Sequence, residues 1–214
     1  MTDTRRSFTR ESAERRREAL IAATLALISE QGMGAATVRA IAARAEVTQG
    51  LIRHYFDSKE ALLTAAYEAH MHRMTQATAD GAGDGTTARA RLAGFVVAGL
   101  TPPVVDGASV ALWAGFLKTV RENERMRATH EATYRDFRDR LEVLIAAALE
   151  EEGRHPGAEQ LRRLGIAANA VIDGLWLEGG ALPGAFADGE LPDLGLMAVG
   201  AIVGLNLTSE DSRA

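Results

Sequence analysis

Thr48, Gln49, Gly50, Arg53, His54 and Tyr55 bring hydrogen-bonding groups together within eight residues, interrupted by the apolar Leu51 and Ile52. At helical spacing Ile52 and Phe56 face inward, and the polar set is left to point elsewhere. Such a set suits base-edge and phosphate recognition. A helix that enters the major groove needs a small, unobstructed start carrying donors and acceptors, with phosphate-binding groups further along. Thr48, Gln49 and Gly50 meet the first need, and Gln49 can present a bidentate amide to adenine. Arg53 has the reach for a guanine edge or a phosphate, while His54 and Tyr55 are better placed as phosphate contacts.

These residues need a scaffold, and the neighbouring sequence supplies one. Thr37 and Thr48 are N-cap residues for two short helices, Thr37 to Ala45 and Thr48 to Tyr55, joined through Glu46-Val47. That spacing is a helix-turn-helix. Before it, Leu20, Ile21, Thr24, Leu25 and Ile28 recur at three- and four-residue steps, predicting a helix from Ser12 to Gln31 that Gly32 stops. After it, Asp57 and Glu60 form a capping box for a helix carrying Leu62, Leu63, Ala66 and Tyr67. Further helices are expected at 87–100, 108–123, 126–152, 156–179 and 191–207, with Thr86 capping the first of these. Strand-like alternation is absent, so the expected fold is all-α.

The chain has 214 residues, with 24 Lys and Arg against 29 Asp and Glu, for a net charge of −5. That average hides a segregation: residues 1–60 carry ten basic and eight acidic side chains, net +2, and residues 61–214 carry fourteen and twenty-one, net −7. The expected division is therefore a helix-turn-helix domain at 1–60, with 1–11 as a flexible basic arm, and a helical domain at 61–214. Arg5, Arg6, Arg10, Arg15, Arg16 and Arg17 either track phosphate or form a solvated tail. The absence of cysteine excludes disulfides and thiolate sites and fits a cytoplasmic location. No secretory leader or spanning segment is evident.

Enzyme signatures are missing too: there is no His-Glu-x-x-His, Gly-x-Ser-x-Gly or phosphate loop. The five histidines lack metal-ligand spacing, so neither metal nor cofactor is expected.

The run from Thr37-Val38-Arg39 through Ile41-Ala42, Ala45, Val47-Thr48, Gly50, Ile52, Tyr55-Phe56 and Ser58-Lys59-Glu60 to Leu62 resembles the DNA-binding signature of TetR-family transcriptional regulators. With the first helix, the likeness covers residues 12 to about 70. It implies a dimeric, all-helical repressor with an N-terminal DNA-binding domain and a C-terminal ligand-binding and dimerisation domain. Carried over by position, Thr37 and Arg39 contact DNA from the first short helix, Thr48, Gln49, Gly50 and Arg53 approach bases, and His54, Tyr55 and Lys59 approach phosphates. Arg53 departs from the aromatic residue that many members have there. Gly50-Leu51-Ile52-Arg53-His54-Tyr55-Phe56 and the later Ile172-Asp173-Gly174-Leu175-Trp176-Leu177 look like segments of the choline-responsive repressors within that family.

Trp113 with Phe116, and Tyr134 with Phe137, form pairs at i, i+3 spacing. If those faces converge beside Trp176, they form an aromatic cage for a quaternary ammonium, worth ~2 kcal/mol when desolvated. Asp106, Glu131, Asp173 or Glu178 would then supply counter-charge, Asp173 foremost among them as a ligand contact. The competing reading of the same stripes is core packing, which leaves a neutral apolar effector or none. Ala167, Ala168, Ala170 and Gly174 would let another helix approach closely, pointing to a homodimer built on the 156–179 and 126–152 helices.

Overall fold

The computed structural model describes residues 3–208 apart from Asp84 and Pro183, with side chains from residue 13 onward. Among the described residues there are nine α-helices and no strand: α1 Asp3–Gln31, α2 Val38–Arg44, α3 Gln49–Tyr55, α4 Lys59–Gly81, α5 Ala88–Gly99, α6 Gly107–Glu122, α7 Glu124–Glu151, α8 Ala158–Ala181 and α9 Glu190–Val203. The all-α expectation is met. The helix expected from Ser12 begins at Asp3, so the backbone of the expected arm is already helical there. The side chains of Arg5, Arg6 and Arg10 lie outside the described residues.

Two compact units result, one of residues 1–71 and 111–130, the other of 72–110 and 131–214. In the first unit, α1 stops where Gly32 takes φ +81° and donates its N–H to Ile28 O at 2.8 Å. Leu20, Ile28, Ile41, Ile52, Leu62 and Phe116 are among the side chains that form its core. α2 and α3 each contribute little apolar surface of their own, Ile41 and Ala42 from one and Ile52 from the other. Helices of seven residues are unstable alone, so tertiary burial is what holds them.

In the second unit, Leu92, Phe95, Val96, Leu141, Ile145, Leu149, Ile172 and Val199 belong to a separate core. Its helix ends are tied across the chain. The Glu151 carboxylate at the end of α7 accepts from Ala88 N and Arg89 N at 3.2 and 3.1 Å, satisfying two free donors at the start of α5. Arg154 donates to Val203 O and Gly204 O at 3.0 and 3.1 Å, closing α9 from its C-terminal end. A Cβ on Gly195 would lie 2.2 Å from Leu100 Cδ1, so a larger residue there would require the buried Leu100 side chain to shift.

Two cap assignments shift by one residue. Ser58, not Asp57, caps α4, its Oγ accepting from Ala61 N at 3.0 Å. Thr87, not Thr86, caps α5, accepting from Ala90 N at 3.0 Å. In each case the adjacent candidate is also a capping type, and sequence alone cannot set the phase of the first turn.

Candidate nucleic-acid interface and effector residues

The turn between α2 and α3 is built by backbone geometry. Val47 N–H donates to Ala42 O at 2.9 Å and Glu46 N–H to Ala43 O at 3.3 Å, with Glu46 in the left-handed region at φ +54°. This is a Schellman ending, with glutamate where glycine is usual. Thr37 Oγ1 accepts from Ala40 N at 3.1 Å, and Thr48 Oγ1 accepts from Leu51 N at 3.3 Å. Both threonines therefore fix the starts of α2 and α3. Arg44 donates to the Glu30 carboxylate at 2.7 Å, fastening α2 to α1 and holding the Glu30 carboxyl below its ordinary range.

On this frame Thr37, Arg39, Thr48, Gln49, Gly50, Arg53 and His54 are exposed, and Tyr55 and Lys59 are half-buried. The His54 and Tyr55 rings meet edge to face with centroids 5.1 Å apart, which orients both at the end of α3. Gly50 is informative because the fold does not require it. A Cβ there would meet only Thr48 Oγ1, at 3.8 Å, and the backbone is ordinary helix. A glycine inside a helix costs about 0.5–1 kcal/mol relative to alanine. What its bareness provides is an unobstructed outer surface at the start of α3, beside the donor and acceptor of Gln49.

The residues singled out as effector contacts occupy separate settings. Phe116 is fully buried in the first unit, 5.1 Å from the Tyr67 ring. Trp113, one turn before it, is half-buried. In the second unit Tyr134 is half-buried, and Phe137 packs on Phe95 with centroids 5.2 Å apart. The Trp176 indole N–H donates to Val104 O at 2.8 Å. Asp173, one turn before Trp176, accepts from Asn169 Nδ2 at 2.8 Å. Burial pushes the Asp173 carboxyl up to about 6, while the Asn169 hydrogen bond and the positive charge of Arg138 oppose the rise.

The sequence did not mark Tyr67 and His130 as partners, yet the Tyr67 hydroxyl is hydrogen-bonded to His130 Nδ1 at 2.6 Å. They stand 63 positions apart in the chain, so no local pattern could have signalled the pairing. Among the described residues no group of three or more His, Asp or Glu side chains is arranged to hold a metal ion.

A helix-turn-helix whose second helix presents an exposed, small, hydrogen-bonding N-terminus defines a DNA-binding regulator. The comparisons agree: residues 20–66 match the tetR family of bacterial regulatory proteins, and residues 88–203 match the C-terminal domain of BetI-type transcriptional repressors. The chain is 31% identical over 176 residues to the HTH-type transcriptional regulator BetI of Stenotrophomonas maltophilia, covering 80% of this chain and 84% of that one. It is 32% identical over 174 residues to BetI of Serratia proteamaculans, covering 79% and 83%. Its fold is similar to the crystal structure of a transcriptional regulator from Pseudomonas aeruginosa PAO1, with TM-score 0.77, 32% identity and 89% of each chain covered. The protein belongs to the TetR family and has a BetI-type C-terminal domain. Family membership places it among DNA-binding transcriptional repressors and not among enzymes.

Proposed function

We propose that the protein binds a roughly palindromic operator as a homodimer in the cytoplasm and is released from it by a small-molecule effector, a choline-like cation being the first candidate. The observation that carries the reading is the exposed face of Gln49, Gly50 and Arg53, with a glycine the fold does not need at its centre. Residues 1–60 carry the DNA contacts in this reading, with Thr37 and Arg39 from α2, Thr48, Gln49, Gly50 and Arg53 at bases, and His54, Tyr55 and Lys59 at phosphates. Residues 61–214 carry effector recognition and dimerisation.

Dimerisation is supported by apolar surface left open on the late helices. Space beside Gly174 is empty, Leu177 on α8 is 41% exposed and Met197 on α9 is 59% exposed. Val143 on α7 is 67% exposed. A two-fold dimer sets two α3 helices about one DNA turn apart, or a multiple of it, which matches an operator of the same symmetry.

For the effector, Asp173 is the proposed counter-charge, and Tyr134, Phe137 and Trp176 of the same unit are the proposed aromatic contacts; Trp113 and Phe116 belong to the first unit, where Phe116 is fully buried in the core. A desolvated carboxylate one turn from an indole supports a cation over a neutral compound. Release then follows by linkage: an effector that prefers a state with badly spaced recognition helices is weakened by operator DNA to the same degree. A nearly complete switch needs a preference of ~10⁴ between the two states. The lever is α4, a single helix from Lys59 to Gly81 that starts beside α3.

The test is binding of the purified protein to labelled DNA flanking its own gene at fixed salt, with and without choline. Palindrome binding weakened by choline is the expected result. Binding that ignores choline but yields to an apolar compound replaces the effector, and absence of specific binding overturns the whole reading.

A further inference from the structure

At the C-terminal end of α3, the first unit holds a pocket of about 340 Å³, at the small end of the range for small-ligand sites. Its walls come from α1, the α3–α4 corner, α4 and α7. Ala61, Thr64 and Ala65 on α4 are buried and small, which leaves the gap between the helices unfilled.

Four charged side chains line it: Arg17 from α1, Asp57 from the corner, Glu68 from α4 and Arg125 from α7. Among the described residues none of the four has an ion-pair partner within 4.0 Å, although two of each sign share one small concavity. Arg17 is positioned by the Phe56 ring, with its guanidinium carbon 5.4 Å from the centroid. Charges held apart in this way stay available to a ligand. A lone anion here would meet two carboxylates, and a lone cation two guanidiniums. A molecule carrying both charges is matched on both counts.

We propose that this pocket binds a small zwitterion of amino-acid size, with its carboxylate between Arg17 and Arg125 and its cationic end toward Asp57 and Glu68. Guanidinium forks suit a carboxylate because two parallel N–H donors meet two oxygens. The site is separate from the effector residues proposed above, and Tyr55 belongs both to its wall and to the candidate DNA face. Occupancy would therefore be felt at the end of the recognition helix.

Calorimetry on the full chain at pH 7 and fixed ionic strength tests this with three matched probes: alanine, propionate, which lacks the amine, and ethylamine, which lacks the carboxylate. Alanine is expected to bind saturably in the millimolar range, with propionate and ethylamine each about tenfold weaker or worse. Arg125→Gln and Glu68→Gln, both at exposed side chains, are each expected to weaken alanine about tenfold while leaving helical circular dichroism unchanged. The proposal is overturned by an absence of saturable alanine binding, by propionate binding as tightly as alanine, or by both variants binding like the parent protein.

Discussion

The Tyr67 hydroxyl sits 2.6 Å from His130 Nδ1, joining α4 to α7 inside the first unit. Tyr67 is fully buried, and its ring also packs on Phe116 at 5.1 Å. Tyr67→Phe keeps that packing and removes only the hydroxyl. His130 is half-buried, so water can take up part of the lost bond, and thermal or denaturant unfolding of the variant should show a loss of about 0.5–1.5 kcal/mol. His130→Ala in the Tyr67→Phe background should then cost less than His130→Ala alone. Additive effects in this double-mutant cycle would show that the bond contributes nothing of its own.

Gly50 separates folding from recognition. Gly50→Ala meets no steric obstacle, since the nearest atom to a new Cβ is 3.8 Å away. The variant should be as stable as the parent or more so, by up to about 1 kcal/mol, because alanine is the better helix former. Operator affinity, measured by fluorescence anisotropy, should nevertheless fall about tenfold if this surface meets DNA closely. Unchanged affinity would remove Gly50 from the interface.

Arg53 and Lys59 differ in the kind of contact proposed for them. Arg53→Ala should cost about 1–3 kcal/mol on the operator and relax base preference at one position in each half-site. Lys59→Ala should weaken operator and random DNA alike and lower the salt slope of binding by about 1. Binding measured against salt on both DNAs distinguishes them. If Arg53→Ala behaves as Lys59→Ala does, Arg53 is a phosphate contact.

Asp173 makes stability depend on pH. Its carboxyl moves from an ordinary 3.8 to about 6 on folding, first through burial, against the opposing effects of Asn169 and Arg138. The folded state thus prefers the protonated form. Its contribution is full below about pH 4, declines as pH rises through about 6 and is gone above that, a change of at most about 3 kcal/mol. Asp173→Asn should flatten this part of the pH–stability profile and raise stability at pH 8. A profile identical to that of the parent protein would contradict the burial effect.

The sequence alone determined a good deal here because the relevant physics is local. Apolar spacing in α1, the threonine caps of α2 and α3, and the stop at Gly32 each depend on residues within one or two turns. The outward face of α3 was legible for the same reason: Ile52 and Phe56 must face inward, so Gln49, Gly50 and Arg53 face out. The α2–α3 turn was placed, but its Schellman geometry was hidden because Glu46, not glycine, occupies the left-handed position. Only the tertiary structure decided how the aromatic residues are used. Trp113 and Phe116, and Tyr134 and Phe137, look alike as spaced pairs, yet Phe116 packs against Tyr67 and Phe137 against Phe95. The Tyr67–His130 bond, the Trp176 bond to Val104 and the charged pocket around Arg17 and Arg125 likewise join residues far apart in the chain. Helical periodicity says which face of a helix is buried, and it carries no information about which distant side chain will meet that face.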